Sequence, residues 1–341
     1  GEKLLLTYSF IPSLTKRFIH QCYDEAYYQK SGGVLGIKTL VDDLDISVDY
    51  LRRYQFELIA GLLFVLKDTP AEAPSVIRER AEELIVKILK STCEGVTEEL
   101  LNDKILQNTL TDIVCELSNA NEVVRKACQN ALGTISDVTG IPVVKLMEHS
   151  QNFLLSPIFA KPLRALPFPM QIGNVDAVIY CLGLPGTFLE FNEELYRLLH
   201  EAIALVDAED ESLASAHRVT EYQTSEQLIN LRVVCIKLLA LSLKNEQFAS
   251  AQQGSIRIRI LAVFFKTMLK TSPEIIEATY QGLKEVLAEN SKLPKELLQN
   301  GLKPMLMNLS DHQKLTVSGL EALARLLELL IAYFKVEIGK K

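Results

Sequence analysis

The residue types able to carry catalysis or to hold a metal are present in this chain but scattered. The five histidines are His20, His149, His200, His217 and His312. They stand far apart, and no His-Glu-x-x-His run places two imidazoles on one helix face. The six cysteines, Cys22, Cys93, Cys115, Cys128, Cys181 and Cys235, contain no Cys-x-x-Cys pair, so zinc-ligand spacing is missing. Most of them sit inside helical patterns, as free, buried thiols of a reducing compartment do. Neither Gly-x-x-x-x-Gly-Lys nor Gly-x-Gly-x-x-Gly occurs. The nearest glycine cluster, Gly32-Gly33-x-x-Gly36, opens a helix with no strand before it, so close helix–helix approach suits it better than a phosphate cradle. The acidic run Asp207, Glu209, Asp210 and Glu211 lacks the alternating oxygen ligands and central glycine of a calcium loop. Gly-x-Ser-x-Gly is also absent. The expectation is a chain with no catalytic, cofactor or metal residues, and so not an enzyme. A helical enzyme with its site in a groove would need titratable groups gathered in a pocket.

The basic residues offer more. Arg257 and Arg259 precede Lys266 and Lys270 on one predicted helix. Arg259, Lys266 and Lys270 fall at i, i+7 and i+11, near one face. With Phe264 or Phe265 beside it, such a strip could receive an acidic, hydrophobic peptide. A solvated helix face has the same composition. A second arginine pattern is repeated: Val124-Arg125-Lys126-Ala127-Cys128 returns as Leu231-Arg232-Val233-Val234-Cys235. In each, the arginine can reach a carbonyl or carboxylate at a neighbouring inter-helix turn, or stay an ordinary surface residue.

The elements that position these groups are helices. The chain has 341 residues, 48% apolar and 23% charged, with few Gly and Pro and no Trp. That is the mix of a folded, helix-rich protein larger than one compact core. Net charge is −7, a poor footing for direct nucleic-acid binding. The longest apolar run, Ile59 to Leu66, is too short to span a bilayer, so no membrane partner is expected. No secretory signal is visible, and the chain reads as a fragment of a longer protein.

Apolar periodicity predicts about fourteen helices. They cover about Leu14–Lys30, Gly33–Asp43, Asp49–Leu66, Pro74–Lys90, Thr97–Leu117, Asn121–Asp137, Pro142–Leu155, Gln171–Leu182, Asn192–Val206, Ser225–Leu243, Ser255–Leu269, Pro273–Ala288, Pro294–Asn308 and Val317–Val336. Val124, Ala127, Cys128, Ala131, Leu132 and Ile135 make one stripe on the Asn121 helix. Paired, the helices give about seven antiparallel pairs with a period of roughly 45–50 residues, the period of HEAT arrays. The fold class is all-α: one continuous solenoid over 1–341 whose pairs must stack to bury their stripes. Two segments break the pattern, a proline-rich loop over 156–170, packed by Phe159 and Phe168, and an acidic loop over 207–224. A slice of solenoid without capping repeats exposes apolar faces near Leu4-Leu5-Leu6 and Leu326–Phe334, which favours self-association.

Several long strings are distinctive. They include Arg164-Ala-Leu-Pro-Phe-Pro-Met-Gln-Ile-Gly-Asn174, Phe188-Leu-Glu-Phe-Asn-Glu-Glu-Leu195 and the run from Arg257 to Pro273. Ala288 to Pro304, Asn308 to Thr316 and Cys22 to Gly33 add to them. Together they resemble the transformation/transcription domain-associated protein (TRRAP) family in its fungal form, across essentially the whole chain. Members are giant relatives of the phosphatidylinositol 3-kinase-like kinases, with a long HEAT solenoid, a FAT region and a kinase-like domain lacking catalytic residues. The chain resembles the solenoid alone, so no nucleotide-site residue carries over.

The resemblance implies a nuclear, non-catalytic scaffold in a transcription coactivator of SAGA- and NuA-type histone acetyltransferase complexes. Its partners would be complex subunits and transcription activators with acidic activation domains. The competing reading is a HEAT scaffold of another complex, a transport receptor or a phosphatase scaffold.

Overall fold

The computed structural model describes residues 10–44, 46–214, 221–245, 248, 254–268 and 272–289, with residues 317, 320, 321, 324, 325, 328 and 329 beyond them. Every regular element among the described residues is helical. The apolar ends Leu4–Leu6 and Leu326–Phe334, apart from Glu328 and Leu329, lie outside the described residues, as do the predicted helix Pro294–Asn308, Lys270, His217 and His312. The chain divides into two compact units, Gly1–Ile158 and Phe159–Lys341.

In the first unit the long helices are α1 (Phe10–Cys22), α2 (Tyr27–Asp42), α4 (Gln55–Asp68), α5 (Ser75–Cys93), α6 (Lys104–Cys115) and α7 (Glu122–Thr139), with the short α3 (Val48–Arg53) before α4. Helix α1 packs on α2, α4 on α5 and α6 on α7. Helices α1, α4 and α6 also meet in sequence as one layer, and α2, α5 and α7 as the other. This is the stacking that lets amphipathic pairs share a core none could bury alone. The α7 stripe shows it: Val124, Cys128, Ala131 and Leu132 are fully buried, Ile135 is 1% and Ala127 8% exposed. Each large apolar side chain so buried contributes about 1.5–3 kcal/mol.

The ends of these helices follow local chemistry. Asn121 caps α7 by accepting from Val123 N–H at 3.0 Å, and Gly140 closes it in the left-handed region at φ 71°. Asp103 accepts from the backbone N–H groups of Ile105 and Leu106, starting α6 after a 3-10 turn at Glu98–Asn102.

The first two helices differ from expectation. The break falls at residues 23–26, where Asp24 Oδ1 accepts from Ala26 N–H at 2.9 Å, rather than between Lys30 and Gly33. Glycines 33 and 36 lie inside α2, and their role is contact. A Cβ on Gly33 would stand 2.7 Å from the Phe18 carbonyl, and one on Gly36 2.3 Å from the Phe18 ring. The expected single helix over Asp49–Leu66 is likewise two, parted at Tyr54.

Helices α8 (Val143–Met147) and α9 (Gln151–Ala160) follow, and Pro157 lies inside α9. The proline-rich loop is therefore shorter than 156–170. A 3-10 turn occupies Leu163–Ala165, and α10 begins at Phe168. Pro162 and Pro167 stand just before these two elements and Pro169 in the first turn of α10, positions where a fixed φ and a missing N–H cost nothing. Phe159 and Phe168 are buried.

In the second unit α10 (Phe168–Gly183), α13 (Glu221–Lys244) and α15 (Pro273–Glu289) form one layer. Helices α11 (Glu193–Asp207) and α14 (Gly254–Thr267) form the other, α11 packing on α13 and α14 on α15. Asn192 caps α11 by accepting from Leu195 N–H at 2.9 Å. The expected acidic loop over 207–224 instead holds a short helix, α12 (Asp210–Ala214), which packs on α13.

Candidate interaction surface

The basic strip lies on α14. Arg257 is half-buried and Arg259 exposed. Arg259 Nη1 stands 3.1 Å from His200 Nδ1, and Lys266 Nζ donates to Asp207 Oδ1 at 2.5 Å. Residues 200 and 207 are seven apart on α11, as 259 and 266 are on α14, so the two contacts are successive rungs between these helices. The strip thus works partly as a seam. Phe264 is fully buried and Phe265 is 3% exposed. Neither offers apolar surface to a ligand: α14 spends its phenylalanines on the core, where each removes the most area from water.

Lys266 also borders a groove. A cavity of about 760 Å³ is lined by Ile229 and Arg232 of α13, Lys266 of α14, and Ser272, Glu274 and Ile275 at the start of α15, with Glu209 and Asp210 on its rim. Arg232 is 3% exposed. Its guanidinium donates to the Ala208 carbonyl at 2.6 Å and pairs with Asp210. Its Nε has no hydrogen-bond partner among the described residues. The Ser272 hydroxyl donates to Glu274 at 2.7 Å, and this bond, then one from the helix backbone, holds the Glu274 carboxyl below its usual range.

The repeated arginine pattern does in three dimensions what its spacing allows. Arg125, 3% exposed, donates to the carbonyls of Asn119 (2.9 Å) and Ala120 (3.2 Å), tying down the turn before α7. Arg232 does the same to the turn after α11. Other arginines share the duty without a sequence signal: Arg52 donates to the carbonyls of Thr92 and Glu94 at the end of α5, both at 2.8 Å.

The titratable groups point away from nucleophilic chemistry. Burial pushes the thiols of Cys22, Cys181 and Cys235 up to about 12, and it raises those of Cys93, Cys115 and Cys128 too. A thiol so raised is not a thiolate at neutral pH. Among the described residues no three His, Cys, Asp or Glu side chains converge as a metal site would require, and no helix is long and apolar enough to cross a membrane.

Two layers of amphipathic helices, stacked pair on pair and pinned at their turns by buried arginines, define an α-helical repeat protein of the HEAT kind. The model of the Tra1 HEAT repeat ring region matches residues 2–341, and the chain belongs to that family. It is 70% identical over its whole length to the SAGA complex/NuA4 acetyltransferase complex subunit TRA1 of Saccharomyces cerevisiae, and 41% identical over 98% of its length to the Schizosaccharomyces pombe subunit of the same description. The human transformation/transcription domain-associated protein is 27% identical over 89% of the chain. The chain spans about 9% of the length of the two yeast relatives and 8% of the human one.

Proposed function

We propose that the chain is a non-catalytic scaffold segment of a nuclear transcription coactivator, a subunit shared by histone acetyltransferase complexes of the SAGA and NuA4 kinds. The observation that supports this reading is the 70% identity, along the whole of this chain and about 9% of the relative, to a protein described as a SAGA complex/NuA4 acetyltransferase complex subunit. Identity that high along a helical repeat preserves the surfaces between pairs as well as the core, and those surfaces are what such a repeat presents to partners. The described residues add pinned turns and interhelical ion pairs, which hold shape.

Within this reading the Lys266 end of the basic strip receives short acidic, hydrophobic segments of transcription activators. Lys266 and Asp207 are both open to solvent, with side chains 55% and 46% exposed. An ion pair of that kind is worth roughly 0–1 kcal/mol and exchanges readily. An incoming carboxylate can take the place of Asp207, while the half-buried Ile229 offers some of the apolar surface that the buried Phe264 does not. Arg259 extends the positive face along α14, Arg257 falls on the opposite side of that helix, and Lys270 follows them in sequence.

Charge reversal at Lys266 tests this. Lys266→Glu in the native protein should weaken capture of an acidic activation-domain peptide by about tenfold, the loss of one charge-assisted contact plus repulsion. Co-purification of the acetyltransferase subunits should be unchanged. Capture equal to wild type would rule the groove out as an activator site.

A further inference from the structure

A second surface, in the first unit, has the opposite character. The turn between α1 and α2 carries three exposed aromatic rings: Tyr23 at 44%, Tyr27 at 45% and Tyr28 at 67%. Tyr23 stacks at 4.9 Å on Phe64 of α4, and Tyr27 meets Tyr28 edge-on at 6.0 Å. Exposed tyrosines gathered at one turn cost hydration of their ring faces without contributing to the core, and they are side chains that interfaces favour.

The charges around this turn are mostly negative. The Tyr23 phenol is pushed above its usual range, first by burial, then by Asp112 of α6, then by Cys22 and by Glu57 of α4. Asp112 is half-buried, and its carboxyl has neither a hydrogen bond nor an ion pair among the described residues, an expensive way to keep a carboxylate. The nearby ammonium of Lys67 is already committed to Glu116 at 3.0 Å. The neighbourhood also shows what it can hold. Lys30, fully buried, donates to the Asp24 carbonyl and to Asp68, each at 2.5 Å, and lies 5.3 Å from the centre of the Phe64 ring. The chain thus satisfies one cation of its own here with oxygen and an aromatic face.

We propose that the surface formed by Tyr23, Phe64, Asp112 and Glu57, flanked by Tyr27 and Tyr28, is a docking site for an arginine-bearing basic segment of a partner protein. A guanidinium matches it on both counts. Its plane stacks on tyrosine, and its N–H fork donates to a carboxylate, whereas an ammonium stacks less well. Asp112 gains the partner it lacks, and the exposed rings gain a cover.

The test is binding of a labelled poly-arginine peptide to the whole protein, followed by fluorescence anisotropy, with poly-lysine of equal length beside it. Poly-arginine should bind several-fold more tightly than poly-lysine. Asp112→Asn should weaken it by about tenfold, and Tyr23→Leu several-fold, while Tyr23→Phe should bind like wild type. Asp49→Asn removes an equal charge from a site 92% exposed elsewhere in the same unit and should leave binding nearly unchanged. Helical circular dichroism of each variant shows that it is folded. Equal binding of the two peptides, or equal losses from Asp112→Asn and Asp49→Asn, would reduce the effect to bulk charge and overturn the proposal.

Discussion

Single side chains here mostly serve shape, whereas Asp112 is kept at a cost to stability. Its carboxyl is raised, first by burial and then by Glu116, with Lys67 opposing. The sign of the consequence is fixed by linkage. A carboxyl that holds its proton more tightly when folded gives its full stability below the ordinary carboxylate range, and that stability is lost as pH rises through the elevated folded value. Asp112→Asn should therefore melt at a higher temperature than wild type near neutral pH, with the gap closing as pH falls through the elevated folded value towards and below the ordinary carboxylate range. Thermal melts across that range read it directly. A lower melting temperature at neutral pH would mean that the carboxylate has a stabilising partner. The same substitution that strengthens the fold should weaken arginine binding, a split expected of a functional residue and not of a packing one. Nothing in the sequence marks Asp112 or Tyr23, because they come from helices remote in the chain and meet only when α1 and α6 both pack around α4.

At the scale of elements, local signals were legible and distant ones were not. Asn121 and Asn192 announce their helices because a cap is made within three residues, and the Val124–Ile135 stripe is buried as its spacing requires. Gly33 and Gly36 make the close helix–helix approach expected of their cluster, and only the helix start placed at Gly33 was wrong, for a physical reason. Glycine weakens a helix locally, but here the cost is offset by the approach of α1, which no side chain at those positions would permit. Gly36→Ala should accordingly cost about 1–3 kcal/mol through overlap with Phe18. Gly133, inside α7, has nothing within 4 Å of where a methyl would stand, and it should accept alanine with a gain of about 0.4–1 kcal/mol. Chemical denaturation of both variants measures the pair. A Gly36→Ala protein as stable as wild type would mean that the helices do not cross as closely as described. Pro157 misled in the opposite direction. It sits inside α9 and removes the donor to the Phe153 carbonyl, and Phe153 is 58% exposed, where water can supply the missing bond. The basic strip was legible as a face of α14 but not as a seam, since its partners His200 and Asp207 are each 59 residues away.

At the scale of the molecule, the helical-repeat class followed from periodicity and the family from long strings of residues, and both hold. Partner surfaces are harder to read from sequence because they are assembled from several helices. The two proposed here differ in make-up: a groove of mixed charge around Lys266, lined by Arg232, Glu209, Asp210 and Glu274 as well, and an acidic aromatic surface around Tyr23. A repeat array with surfaces of different character can hold unlike partners at once, and this is the use expected of a scaffold.

Cross-linking mass spectrometry on the native acetyltransferase assembly, purified through this protein, tests the scaffold role most directly. Lysines beside the two surfaces, Lys266 in the second unit and Lys67 in the first, should give cross-links to other subunits. Cross-links from these lysines confined to the protein itself, in an assembly whose other subunits cross-link freely to one another, would contradict it.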